Sequence, residues 1–140
     1  MSALEANVTL VNDRMQFRGA LRDNPPITMD YIPPLGDGDG YMPMELVLMS
    51  LGTCSGSSVA ALLRRMGRTV SALDVRASGV RREQHPTSFE TIALDFTLTS
   101  PDATEEDMGK ALKLSEDSIC PVWDMLKGRV TITTGFDIIR

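Results

Sequence analysis

Between Glu45 and Arg64 the chain runs for 18 residues, Leu46 to Leu63, without a charge. A run of that length raises the question of a membrane span. It is only weakly apolar, however, because Ser50, Gly52, Thr53, Gly56, Ser57 and Ser58 interrupt it. A buried helix of a soluble protein is the better reading. Pro43 is placed to open that helix, since a proline at the first helical position gives up an N–H that has no intrahelical partner there. Gly67 is placed to end it, so the helix is expected from Pro43 to about Met66. Leu46, Val47, Leu48, Met49, Leu51, Val59, Leu62 and Leu63 cover most of its circumference. A helix apolar all round has to be covered on several sides, and one domain of 140 residues offers little to cover it with. A second subunit would supply the missing surface, and the small residues from Gly52 to Ser58 would let another helix approach closely.

The segments around this helix read as strands and short helices. Before it, Val8 and Leu10, Met15 and Phe17, and Ile27 and Met29 alternate, with hairpin turns expected at Asn12-Asp13 and at Arg22 to Pro26. The stretch from Pro33 to Pro43, PPLGDGDGYMP, is a loop. Its GDGDG lacks the distal glutamate spacing of a calcium loop. After the helix, Leu73, Val75 and Ala77 alternate on one strand, and Ile92, Leu94, Phe96 and Leu98 on the next. Period two with polar residues between means one buried face. The turn between them lies near His85, a solvated loop residue. Thr104 with Asp107 forms a capping box for a helix through Met108, Ala111, Leu112 and Leu114. A second short helix begins at Cys120-Pro121, carries Val122, Met125 and Leu126, and closes at Gly128. A last strand carries Val130, Ile132, Phe136 and Ile138. Strands, long helix, two strands, helices and strand, in that order, make an α+β fold with antiparallel sheet. All of residues 1–140 read as one domain.

Charge and cysteine usage narrow the function. The net charge is −5, which argues against a general nucleic-acid binder. Arg64, Arg65 and Arg68 could form a local basic patch and also complement the negative end of the long helix. The N-terminal stretch lacks the basic start and apolar run of a signal peptide, so a cytoplasmic protein without membrane attachment is expected. A structural disulfide would be unusual in that compartment. With one histidine and no CxxC pair, a zinc site lacks ligands. Neither a Walker loop nor a GxGxxG after a strand is present, so no cofactor is expected.

The two cysteines, Cys54 and Cys120, then carry the chemistry. Cys54 lies mid-helix on an element expected to be buried. Cys120 lies at a helix start, where free N–H groups and the positive dipole end favour a thiolate. Local physics alone makes Cys120 the more acidic thiol. Trp123 follows it closely and either shields the site or packs in the core.

The segment PMELVLMSLGTCS, Pro43 to Ser55, resembles the central-helix motif of the OsmC/Ohr superfamily. In that motif a Pro-x-Glu-Leu start leads to a cysteine eleven residues after the proline. The segment SEDSICPVWDML, Ser115 to Leu126, resembles the second motif of the same family, and the order of elements fits nearly the whole chain. The resemblance implies an OsmC-like fold: an intertwined homodimer whose antiparallel sheets pack around long central helices. It implies that Cys54 attacks the O–O bond of an organic hydroperoxide and becomes a sulfenic acid. Cys120 resolves it to a disulfide, and a dithiol reductant resets the pair. It also implies an activating guanidinium, for which Arg14 is the best match and Arg18 the fallback. Peroxidase members carry a glutamate directly after the proline. Here Met44 stands there and the acid is Glu45. One residue turns a helical side chain by about 100°. Two readings follow: a thiol-dependent hydroperoxide reductase using Cys54, Cys120, Arg14 and Glu45, or a dimeric stress-response or small-ligand-binding protein whose thiols do not cycle.

Overall fold

The computed structural model describes residues 3–140, and these fall into two compact units, one ending at Val47 and one beginning at Leu48. In the first unit, β1 (Ala6–Leu10), β2 (Phe17–Leu21) and β3 (Ile27–Met29) form an antiparallel sheet in that order. The two turns lie where polar residues interrupt the alternation. Arg22 takes a positive φ of 58° in the second of them, a conformation that costs a residue with a Cβ something. Met15, expected on the second strand, lies before it.

The Gly- and Pro-rich loop that follows is held by one carboxylate. Asp30 is 1% exposed, and its oxygens accept the N–H groups of Tyr31 (2.8 Å), Asp37 (3.3 Å) and Asp39 (3.2 Å). Burial raises the pKa of Asp30. The N–H groups of Asp39, Tyr31 and Asp37, with the Gln16 side chain, more than offset this and leave it below the ordinary carboxylate value. Asp30, Asp37 and Asp39 lie close enough together to hold a cation, but these hydrogen bonds and the pairing of Asp37 with Arg14 already account for the cluster.

The long helix α1 (Pro43–Arg65) starts at the expected proline, and Gly67 follows it with a φ of 81°. The Glu45 carboxylate reaches back to the N–H of Met42 at 2.7 Å and closes the first turn. By length and composition α1 could cross a membrane, and only 39% of its most apolar stretch is buried. Leu51, Val59, Leu62 and Leu63 are buried, whereas Met49 is exposed and Leu46, Val47 and Leu48 are half-buried. The expectation of a helix covered all round is therefore met along its second half alone within one chain.

The rest of the second unit is a three-stranded sheet with helices connecting two of its strands. β4 (Ala72–Arg81) pairs antiparallel with β5 (Phe89–Thr99), Val75 opposite Phe96. β6 (Thr131–Ile139) pairs with β5 in parallel, Ile92 opposite Ile132. Purely antiparallel sheets were expected, and the second sheet is mixed. The connection through residues 100–130 is long enough to carry the chain back to the starting end of the sheet, which a parallel neighbour needs. Ile92, Leu94, Phe96 and Leu98 on β5 are buried, as their alternation required. Gly56 of α1 sits where a Cβ would come within 3.1 Å of a Val75 methyl. The small residues of the helix thus allow close approach to a strand of the same chain.

The crossover contains α2 (Glu105–Leu114), with the expected capping box between Thr104 and Asp107. Arg68 pairs with Asp107 at 2.7 Å, so one arginine of the basic cluster is committed to an ion pair. Leu114 and Met125 are exposed. Between α2 and α3 (Pro121–Leu126) lies a π-helical turn, Ser115–Ile119.

Candidate active site

The two thiols meet at the start of α3. Cys120 is the residue before its first turn, with φ −77° and ψ 107°. Its own N–H donates to the Ser115 carbonyl at 2.9 Å, which closes the π turn. That turn inserts one residue relative to an α-helix, a device found often at functional positions. Pro121 supplies no N–H. The next two do: the Trp123 N–H donates to Cys120 Sγ at 3.4 Å, and the Val122 N–H acts on Cys54. One helix start therefore serves both sulfurs. From the other side, Ser55 Oγ lies 3.5 Å from Cys120 Sγ, and both residues are 2% exposed. Cys54 and Cys120 are both free thiols.

The exposure of Cys54 departs from the sequence expectation. Cys54, expected to be buried, is half-buried, and Cys120 is buried. A mid-helix position says nothing about which face a side chain occupies. Leu51, Ser55 and Ser58 mark the buried face, and Cys54 lies at its flank. Trp123 is also buried, and its backbone N–H serves Cys120.

Burial raises the Cys54 pKa. The Val122 N–H lowers it, and the neighbouring Cys120 thiol raises it again, leaving it above the ordinary thiol value. Among the described residues of the second unit, no cation contributes to lowering it. Cys54 in this state is mostly a thiol at neutral pH.

The other two candidate residues lie in the first unit, each with a partner there. Arg14 donates from one guanidinium nitrogen to Asp37 and from the other to the Pro34 carbonyl. Glu45 holds the Met42 N–H. Sequence reading missed Ser55 and Val122 as neighbours of the sulfurs, and it singled out Trp123 for its ring where the contact with Cys120 is made by its N–H. Ser55 directly follows Cys54, but only the packing of α3 against α1 gives its hydroxyl a thiol to face. Two cavities adjoin the region. One of about 340 Å³ is bounded by Cys120, Glu116, Asp117 and Asp124. A larger groove of about 530 Å³ runs between α1 and β4, past Met49, Gly52, Gly56 and Val75.

The family described as "OsmC-like protein" matches residues 36–135. Protein YhfA of Escherichia coli strain K12 is 34% identical over 97 residues, covering 69% of this chain and 72% of that protein. A hypothetical protein from Aquifex aeolicus VF5 shares the fold with a TM-score of 0.86 at 28% identity, over 99% of this chain and 97% of that one. An organic hydroperoxide resistance protein from Legionella pneumophila shares it with a TM-score of 0.73 at 11% identity, over 98% of each chain.

Proposed function

The chain belongs to the OsmC-like protein family, and from that premise we propose that it is a thiol-dependent reductase of organic hydroperoxides. The observation that carries the reading is a pair of free thiols, one half-buried and one buried, close enough that Cys120 acts on the Cys54 proton. Cys54, the accessible sulfur, attacks one peroxide oxygen as a thiolate. The O–O bond breaks, the other oxygen leaves as an alcohol after taking a proton, and Cys54 becomes a sulfenic acid. Cys120 then attacks the Cys54 sulfur, water leaves, and a disulfide forms. A dithiol reductant returns both thiols and becomes a disulfide itself.

Arg14 enters this proposal as the activating cation that the family resemblance implies, and Glu45 as the acid one residue beyond the family's glutamate position, where Met44 stands. A cation near Cys54 would offset its raised pKa and make the thiolate more available. Members of the family are soluble and generally homodimers. We extend both properties to this chain, place it in the cytoplasm and take residues 1–140 as one functional domain. A partner subunit would cover the exposed part of α1.

A second reading is favoured by Glu45, whose carboxylate is committed to the Met42 N–H. In that reading the thiols do not cycle, and the groove of about 530 Å³ holds a small apolar ligand. The experiment is a rate. Reduced protein is mixed with cumene hydroperoxide and dihydrolipoamide, beside Cys54→Ser and Cys120→Ser. Turnover that disappears in Cys54→Ser is the expected result. Consumption no faster than free thiol would leave the ligand-binding reading.

A further inference from the structure

We propose that Ser55 is a positioning residue for Cys120, and that Ser55 and Trp123 hold Cys120 as the leaving thiolate when a reductant attacks the disulfide at Cys54. The inference rests on the cycling of the Cys54–Cys120 pair proposed above and assigns the direction of its reductive half.

Helical serines commonly turn their hydroxyl back to a carbonyl of the preceding turn. Ser57 and Ser58 do so, donating to the Cys54 carbonyl at 3.0 and 2.9 Å. The Ser55 hydroxyl instead faces Cys120 Sγ at 3.5 Å, inside the core. The Trp123 N–H faces the same sulfur at 3.4 Å. Either atom can donate in the Ser55–Cys120 contact: the neutral thiol can give its S–H to Oγ, whereas a thiolate only accepts and makes the hydroxyl its donor. A thiolate gains from both the hydroxyl and the Trp123 N–H, because hydrogen bonds to an ionised acceptor are the stronger kind. The reduced state is the product of disulfide cleavage, so these two donors stand where the departing negative charge arrives.

Access points the same way. Cys120 is 2% exposed whereas Cys54 is half-buried, so an incoming thiolate reaches Cys54 first. One reductant thiolate bonds to Cys54 Sγ as the Cys54–Cys120 bond breaks, and the electron pair goes to Cys120. The second reductant thiol gives its proton to Cys120 and attacks the first reductant sulfur. Cys54 leaves as a thiolate and takes the proton of the first thiol from solvent. Two electrons pass from the dithiol to the protein. Exchange is faster when the leaving sulfur is the better stabilised anion, which is the contribution assigned to Ser55.

The test uses the whole chain, oxidised with diamide so that no peroxidase activity is required. The disulfide is exposed briefly to 2-mercaptoethanol, quenched with iodoacetamide and mapped by mass spectrometry. Mercaptoethanol on Cys54 with alkylated Cys120 is the expected pattern, and the reverse pattern overturns the proposal. Ser55→Ala keeps a good helix former and is expected to slow reduction by dihydrolipoamide about three- to tenfold. In a Cys54→Ser background it should also raise the pH midpoint of Cys120 alkylation, which a purely structural role would not move. Ser57→Ala, which removes a hydroxyl from the same helix, should change neither. An unchanged rate and midpoint in Ser55→Ala would remove Ser55 from the mechanism. If diamide forms no intramolecular disulfide, the cycling reading and this inference fall together. A disulfide that forms in a protein inert to cumene hydroperoxide sinks only the peroxidase, and the trapping result still decides the direction of attack.

Discussion

The Trp123 N–H donates to Cys120 Sγ at 3.4 Å, so the second thiol of the pair is also the cap of α3. Capping and redox chemistry make different demands on that side chain, and substitutions separate them. Cys120→Ser keeps an acceptor at the helix start, and serine is among the best caps. Cys120→Ala leaves the Trp123 N–H without a partner. Urea unfolding of the reduced proteins should show Cys120→Ala less stable by about 1 kcal/mol and Cys120→Ser within about half of that. Both should form no intramolecular disulfide. Equal stability of the two variants would mean that the sulfur does not cap.

The Cys54 thiol is pushed up by burial, relieved by the Val122 N–H and pushed up again by Cys120. The nucleophile is the thiolate, and a raised pKa keeps that form scarce at neutral pH. Alkylation of Cys54 by iodoacetamide should therefore keep rising with pH past the ordinary thiol value, without a plateau near neutrality. Because Cys120 contributes to the upward shift, Cys120→Ala should move the midpoint of that curve down. A midpoint that stays put or rises in this variant would show that the two sulfurs do not act on each other.

The backbone of this site is partly legible in sequence. Pro43 and Gly67 bracket α1 and Thr104 with Asp107 caps α2 because these signals are local. The direction of β6 is not legible, since alternation is the same for a parallel and an antiparallel neighbour. Nor is the π turn at Ser115–Ile119. SEDSI carries no residue that forbids an ordinary helical turn, and the wider turn is settled by where Cys120 has to pack. The partial exposure of Cys54 is not legible either, because burial follows the face of a helix and not the position along it. Cys120 does stand at a helix start, as its sequence context indicates. That context does not reveal that consecutive N–H groups there serve both sulfurs.

Asp30 makes the loop of the first unit sensitive to acid. Its folded pKa lies below the unfolded one, so its contribution to stability is present above the ordinary carboxylate value of about 3.9 and is lost as pH falls through the lower folded value. Asp30→Asn keeps the shape but weakens three N–H contacts to a neutral acceptor. It should destabilise the protein at pH 7 and flatten the acid limb of its stability curve. Chemical denaturation at pH 7 and at about pH 3.5 checks both. An acid limb as steep as that of the native chain would assign the dependence to other carboxylates.

Arg14 is the residue on which two roles compete. Its contacts with Asp37 and the Pro34 carbonyl make it a clasp of the first unit, and the family resemblance makes it the cation that activates Cys54. Both involve charge, so loss of activity in Arg14→Ala would not by itself distinguish them. The Cys54 alkylation curve does. If Arg14 activates the thiol, Arg14→Ala raises the Cys54 midpoint, and peroxide reduction at pH 7 falls about tenfold for each unit of that rise. Asp37→Ala removes the clasp and leaves the guanidinium, so its midpoint should remain at or below that of the native protein. Glu45→Ala, which loses the contact to the Met42 N–H, should cost about 1 kcal/mol of stability. If Glu45 also orients the activating arginine, its Cys54 midpoint rises with that of Arg14→Ala. A Cys54 midpoint unmoved by Arg14→Ala would confine the arginine to the loop. Arg18→Ala would then be the variant to measure next, with a rise in the same midpoint as the sign of activation.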